Sequence, residues 1–475
     1  MDTPQATQDA AALEALGYRQ QLLRDMGGFS NFALSFSVIS ILTGAITLYG
    51  HGLRFGGPIV MALGWPLVAV MTLTVAASLA ELASAYPTAG ALYHWSAWLG
   101  GRGWGFATAW LNTLGQVAIT AAVDYGLAEF LAAALDWPGD RRHVLGLYAA
   151  LLLSHALLNH VGVRAVALAN HLSAWYHIVG VALLIAALLH YAPHHDLGFL
   201  LTRFTSEPHS HGYGFLVGLL QAQWTLTGYD ASAHTGEETI DPSRNAPWGI
   251  FLSVAISGVV GWALVVALTL AIGDLPATAG AANPFLFLLT AALPGGLARA
   301  LLWLAMGAMW FCGLSSLASN SRMLFAFARD GGLPAARHIA RVSPRFRSPH
   351  IAVWVCAAAA LGVALSHSAF SAMVALSTIA LYASYALPIA ASLWAGARGT
   401  QARRGPWHLG SWSKALRWAA LAWVGVVTVL FVLPPDELAG YTFAGCLAAL
   451  ALYWFGYLRS RFVGPPVPED LRKAA

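Results

Sequence analysis

Charge and cysteine are both scarce in this sequence, and each shortage excludes a class of protein. Asp, Glu, Lys and Arg make up only 10% of its 475 residues, against about 25% in soluble domains. With 58% hydrophobic residues and a mean hydropathy of +0.63, the chain has too little polar material to cover a soluble fold and reads as an integral membrane protein. The three cysteines, Cys312, Cys356 and Cys446, lie in separate apolar runs. They are too few and too dispersed for a disulfide framework or a zinc-ligand spacing, and read as packing residues. A Gly-rich phosphate loop followed by Lys is absent, so nothing points to ATP coupling within the chain. The brief alternating segments of an outer-membrane barrel are absent as well, because the apolar runs are about 20 residues long.

Those runs read as twelve transmembrane helices, at roughly 29–50, 57–85, 104–134, 144–161, 165–191, 214–239, 247–272, 297–328, 349–367, 370–396, 415–434 and 438–461. With the N-terminus on the cytoplasmic side, 20 Lys and Arg residues fall inside, and five (Arg54, Arg141, Arg142, Arg203 and Arg299) fall outside. That bias satisfies the positive-inside rule and predicts that both termini are cytoplasmic. The polar stretch up to Asp25 has no basic-then-apolar signal pattern, so the first helix is expected to insert the chain itself. The expected organisation is an N-terminal segment at 1–28, a ten-helix core at 29–396, two further helices within 397–461 and a tail at 462–475. Pro284 to Leu293 is expected to form a short re-entrant or interfacial helix. Arg outnumbers Lys and the helices are rich in Ala, which suggests a bacterial inner membrane. The basic loops suit topology and lipid headgroups, not nucleic acid.

Two of the apolar helices are flawed in the same way. The first contains SILTGA (Ser40 to Ala45) and the sixth contains TLTGYD (Thr225 to Asp230), each a Thr-Gly pair near the middle of a span. Glycine there costs roughly 1 kcal/mol relative to alanine and frees backbone groups. One reading is close helix packing, which small residues serve routinely in membranes. The other comes from their positions, first and sixth: transporters built of two inverted five-helix repeats interrupt the first helix of each repeat at the midplane to make a binding site. Asp230 follows the second flaw directly, and an ionisable residue inside the membrane is by default a functional candidate. It would pair with a substrate ammonium, carry a proton, or cap the second half-helix.

Four longer stretches carry a family resemblance: FGGPIVMALGW (Phe55 to Trp65), SLAELASAYPTAGALYHW (Ser78 to Trp95), GYDASAHTGEETIDPSRNAPWGI (Gly228 to Ile250) and SSLASNSRMLFAFARDGGLP (Ser315 to Pro334). Over roughly 25–400 the sequence resembles the amino acid, polyamine and organocation superfamily. Within it, the sequence is most similar to the amino acid/choline transporter family, which includes fungal GABA and choline permeases. The resemblance implies an all-α fold with a five-plus-five inverted repeat, discontinuous first and sixth helices and two helices after the repeat.

It also implies roles for particular residues. The substrate carboxylate would rest on backbone N–H groups of the first break, with Ser40, Ile41, Leu42, Thr43 and Gly44 as the cradle. Leu42 stands where the family usually has glycine, a departure that crowds the approach of a ligand to the backbone. Thr227, Gly228, Tyr229 and Asp230 would form the facing wall. Trp224 and Tyr229 match gating aromatics that close over a ligand, although Trp224 also suits ordinary packing. His177 falls where some proton-coupled relatives carry a lysine, and an imidazole titrating near about 6.5 suits a reversible proton. A buried histidine bonded within the bundle is the alternative. Ser315, Ser316 and Ser319 would face the same place and leave a sodium site open. Glu237 and Glu238 match an acidic pair that serves either as an inner gate with Arg322 or Arg329, or as a solvated helix end. Glu81, Asp124 and Glu129 read as buried pairs within the bundle.

The outer loops hold His190, His194, His195, His209 and His211 with Asp196 and Glu207. Their spacing lacks the preorganisation of a zinc site, so no metal and no cofactor is expected. Taken together, these features describe a secondary transporter that moves an amino acid or related small amine by alternating access with protons as coupling ion. A choline-like or polyamine cation, caged by Trp224 and Tyr229, is the alternative cargo. A solute sensor without transport and a membrane enzyme are the alternatives from other classes.

Overall fold

The computed structural model describes residues 4–366, 370–399 and 403–472. It is all-helical, with one isolated bridge between Met26 and Thr239 and no strand among the described residues. Ten helical stretches are long and apolar enough to cross a membrane by length and composition. The expected ninth span is a shorter helix, His350–Ser366, and its expected end at 367 lies outside the described residues, as does Lys473. The expected sixth span is broken into His211–Gly218, Leu220–Thr225 and Ala231–His234.

In chain order the elements are α1 (Pro4–Ala15), α2 (Gly28–Ile39), α3 (Ile41–Thr47), α4 (Tyr49–Phe55), α5 (Trp65–Ala85), α6 (Leu92–Gly100) and α7 (Arg102–Ala134). Then follow α8 (Arg141–Val161), α9 (Val163–Tyr191), α10 (His211–Gly218), α11 (Leu220–Thr225), α12 (Ala231–His234) and α13 (Pro242–Leu270). The remainder are α14 (Leu275–Gly280), α15 (Pro284–Ala292), α16 (Gly295–Arg329), α17 (Ala336–Ile339), α18 (His350–Ser366), α19 (Phe370–Ala397), α20 (Ser413–Leu430), α21 (Glu437–Tyr453) and α22 (Glu469–Arg472). The short helix expected at Pro284 is α15.

The two interrupted helices lie side by side at the centre of the bundle. Ser40, in the left-handed region at φ 36°, divides α2 from α3. Gly228, at φ +85°, separates α11 from α12, a conformation that L side chains rarely adopt. The halves pack crosswise: α3 lies on α11 and α2 on α12. A Cβ on Gly44 would overlap Thr225, and one on Gly228 would overlap Val38, so each glycine lets one break close on the other. Polar side chains bind the second pairing. Ser35 donates to the Tyr229 carbonyl at 2.8 Å and accepts from the Ser232 N–H at 2.9 Å, and Asn31 Nδ2 donates to the Ser232 carbonyl at 2.8 Å.

Around this pair stand α7, α9, α16 and α19, each inward-facing along much of its length, while α20 and α21 present exposed Val426, Val429 and Leu452 on the periphery. Both ends of the chain meet on one face, hereafter the terminal face: Gly17 packs on Pro466, and the Pro466 carbonyl accepts from Trp98 at 2.8 Å. Replacing Gly44 by alanine is expected to wedge α3 from α11 and cost about 1–3 kcal/mol, as overpacking in cores does. A thermal melt of the purified variant tests this, and an unchanged melting temperature would mean that the two breaks do not depend on this contact.

Candidate functional site

Between the breaks lies a small cavity of about 10 Å³, room for about one water molecule, lined by Val38, Ile39, Thr43, Gly44, Ile119, Val123, Trp224, Thr225 and Cys312. No lining residue is charged. Of the residues expected from sequence, Thr43, Gly44 and Trp224 line it, whereas Ser40, Ile41, Leu42, Thr227, Gly228, Tyr229 and Asp230 do not. Leu42 corrects an expectation: its side chain packs against Gly180 of α9, within 3.0 Å of where a Cβ would be, so it turns away from the cavity and does not crowd it. The N–H groups of Thr43 and Gly44 bond to the Ser40 carbonyl at 2.8 and 3.0 Å, which leaves those of Ile41 and Leu42 ahead of the first helical bond.

His177 and the first break are brought together. His177 Nδ1 lies 2.8 Å from the Ser173 carbonyl, which can only accept, so Nδ1 carries the proton and Nε2 accepts from Ser40 Oγ at 2.7 Å. Ser40 Oγ in turn lies 2.6 Å from Thr43 Oγ1, so Thr43 donates to it. One hydroxyl chain thus joins the imidazole to a residue of the cavity wall. Ser315 does not join it; its hydroxyl bonds to Asn170 at 2.7 Å.

Asp230 is a hub behind the second break. Its carboxylate lies 2.9 Å from Asn112 Nδ2, 3.3 Å from Gln116 Nε2, 3.1 Å from His234 Nε2 and 2.8 Å from the Tyr385 hydroxyl. Tyr385 also accepts from the Gly228 N–H at 3.2 Å, and Tyr382 donates to the Leu226 carbonyl at 3.3 Å. Two tyrosines of α19 therefore clamp the backbone that the break leaves free. Trp224 reaches α19 as well, donating to Ser377 at 3.1 Å with its ring edge-on to Phe370. Thr227 turns back to the Trp224 carbonyl, and the Tyr229 ring packs 5.0 Å from that of Tyr385.

Glu237 and Glu238 are buried and paired at the terminal face, not at a solvated helix end. Glu238 takes a bidentate bond from Arg322 at 2.8 and 3.1 Å, and Glu237 one from Arg329 at 2.8 and 3.0 Å. The N-terminal segment closes over them. The Arg329 guanidinium sits 4.0 Å above the Tyr18 ring, Gln20 donates to the Glu237 carbonyl at 2.7 Å, and Asp25 and Met26 N–H groups bond to the Glu238 carbonyl. Tyr18 stacks on His94 and donates to Asp330 at 2.8 Å. Glu81 pairs with Arg417 and Asp124 with His155, while Glu129 is exposed and makes no ion pair among the described residues. The loop histidines bond and stack separately, His195 on the Ile272 carbonyl and the Phe199 ring and His209 against Phe55 and Tyr213, and no group among the described residues is arranged to hold a metal ion.

Sequence reasoning missed Ile119, Val123 and Cys312 as cavity wall, and Asn112, Gln116, His234 and Tyr385 as partners of Asp230. The four-residue spacings 112–116, 119–123 and 230–234 mark shared helix faces. They do not say which face meets the break.

At the terminal face, burial holds the His94 imidazole below its ordinary range, against the pull of Asp330. The docked state thus takes up this proton less readily than the open chain, and its stability is full above the ordinary histidine range and declines as pH falls through it. Amide exchange in 4–26, corrected for intrinsic rate, is expected to be faster at pH 5 than at pH 7.5, with the difference reduced in His94→Gln. Equal protection at both values would remove His94 from the latch.

The family model for amino acid permeases matches residues 26–455. An amino-acid permease BAT1 homolog of Oryza sativa subsp. japonica is 39% identical over 461 residues, covering 89% of this chain and 87% of the relative. The amino-acid permease BAT1 of Arabidopsis thaliana is 38% identical over 500 residues, covering 95% of each chain. A GABA-specific permease of Saccharomyces cerevisiae is 27% identical over 464 residues, covering 92% of this chain and 80% of its own length.

Proposed function

From the premise that this chain belongs to the amino acid permease family, we propose that its cargo is a small amino acid with an uncharged side chain, held between the two breaks. The protein is a multi-pass membrane transporter and not an enzyme. The reading of its cargo is carried by the lining of the cavity between the breaks, which includes no charged residue. On this reading the substrate carboxylate meets the Thr43 hydroxyl at the cavity wall and, as the site opens to admit it, the N–H groups of Ile41 and Leu42 just behind that wall, while its ammonium rests on carbonyls of the last turn of α11. Val38, Ile39, Ile119, Val123 and Cys312 receive the side chain, under Trp224. An organic cation is the weaker reading, because of its two expected aromatic partners only Trp224 lines the cavity.

We read the architecture as twelve spans with an inverted five-helix repeat. The crosswise pairing of α2 with α12 and α3 with α11 supports this, since a two-fold axis in the membrane plane relates first half to second half. The terminal face is read as cytoplasmic and the membrane as a bacterial inner membrane. Transport then alternates by opening either the Glu237–Arg329 and Glu238–Arg322 side or the Trp224 side.

Proton coupling is assigned to His177, with Asp230 holding the second break in register with α7 and α19. A proton on His177 Nε2 turns it from acceptor to donor. Ser40 Oγ must then accept from it and donate to Thr43, and the Thr43 hydroxyl is released to donate into the cavity. Loading a proton thereby creates a hydrogen-bond donor for the substrate carboxylate.

Two measurements test these assignments. In a thermal-shift panel, small neutral amino acids are expected to raise the melting temperature, because ligands of the folded state stabilise it. A response confined to choline-like cations would replace the reading. His177→Gln is expected to remove the pH dependence of substrate affinity, and an unchanged dependence would return His177 to a packing role.

A further inference from the structure

Besides Asp230 with His234, the bundle buries another carboxylate–imidazole pair away from the cavity and its hydroxyl chain. Asp124 of α7 and His155 of α8 are both 0% exposed, with Asp124 Oδ2 3.2 Å from His155 Nδ1. Their other polar atoms, Asp124 Oδ1 and His155 Nε2, have no hydrogen-bond partner among the described residues. The pair has a fitted seat: a Cβ on Gly313 of α16 would overlap both the carboxylate and the imidazole, so this glycine makes room for them. It also adjoins the substrate site, because the preceding residues on the two helices, Val123 and Cys312, line the cavity.

We propose that Asp124 and His155 form a proton-binding site separate from the substrate cavity, loaded at His155 Nε2 and acting on the terminal-face gate. The carboxylate accepts, so Nδ1 carries the hydrogen of the neutral imidazole and Nε2 keeps its lone pair. Taking up one proton there converts a carboxylate and neutral ring, net charge −1, into an ion pair of net charge zero. The proton comes from water on one side of the membrane and returns to water on the other, and no other bond changes.

The route to the gate is continuous. Asn159, one turn beyond His155, donates to the His155 carbonyl at 3.0 Å and to the Leu314 carbonyl at 3.1 Å. Its Oδ1 accepts from Arg322 at 3.1 Å, and Arg322 holds Glu238. In the closed arrangement the new Nε2–H finds no acceptor, and a buried charged donor left unpaired is costly. Loading therefore favours a different seating of α8 against α16, and with it the release of Arg322 from Asn159.

Few other groups compete for the proton. Tyr148 of α8 donates to the Ala360 carbonyl at 2.8 Å, and Cys312 of α16 donates to the Val38 carbonyl at 3.1 Å. Tyr125 and Glu129 lie on α7 itself, α18 has His350 at its start and the buried Cys356, α9 has His171 bonded to Ser30 and His177 bonded to Ser173 and Ser40, and the stretches 28–47 and 370–397 contain no Asp, Glu, Lys, Arg or His.

The proposal goes beyond the His177 relay and is separable from it, because it concerns rate and not affinity. In proteoliposomes, Asp124→Asn is expected to flatten the pH profile of the maximal uptake rate and to lose proton flux through this site. The substrate-induced thermal shift and its pH dependence should persist. Should Asp124→Asn fail to fold, His155→Gln, which keeps a donor for Asp124, carries the same test. An unchanged pH profile of maximal rate in a folded variant of either kind overturns the assignment. If wild-type uptake itself is independent of pH and moves no protons, proton coupling as a whole falls, whereas coupling kept in wild type and variants alike removes this site alone.

Discussion

A helix interrupted inside hydrocarbon strands its N–H and C=O groups where water cannot reach them, and each stranded group costs several kcal/mol. Everything near the centre of this bundle answers that constraint. The groups freed at the second break are taken up by Ser35 from the neighbouring broken helix and by Tyr382 and Tyr385 from α19. At the first, the Ser40 carbonyl takes up the N–H groups of Thr43 and Gly44. The breaks stabilise one another, and α19 supplies further partners to the second.

The same constraint explains the cluster of buried carboxylates in a chain so short of charge. Asp230, Glu237 and Glu238 follow Gly228 within ten residues and each is 0% exposed, yet each is bonded by donors from helices distant in sequence. A buried ion pair is weak support for stability, because desolvation offsets much of the attraction, but losing one partner is costly. Such pairs make good latches: strong when assembled, and released as a unit. The Asp124–His155 pair differs in leaving one atom on each side unmatched.

Much of this was legible in the sequence. Helix ends followed from apolar run length, and the second break falls at its Thr-Gly pair, whereas the first lies at Ser40, three residues before the pair that marked it. What composition could not give was direction. Leu42 looked like an obstacle because the residue type was visible and its rotation about the helix was not; half a turn carries it onto Gly180. Asp230 was visible as an anomaly, but apart from His234 its partners lie more than a hundred residues away on α7 and α19, and no local spacing encodes those. Glu237 and Glu238 looked equally like a solvated end, since only the fold brings Arg322, Arg329 and the N-terminal segment over them. Ile119, Val123 and Cys312 are ordinary apolar residues, distinguished only by what they face.

The seat of the N-terminal segment has a consequence for biosynthesis. Residues 4–26 dock onto Glu237, Asp330 and Pro466, positions that leave the ribosome in that order. This stretch, made before the helices it docks on, is therefore among the last to find its place, and it waits undocked while most of the bundle inserts. During that interval its polar residues face water and its apolar Leu13, Leu16 and Leu22 have no core to enter, so the segment offers a natural signal by which a finished carrier differs from an unfinished one.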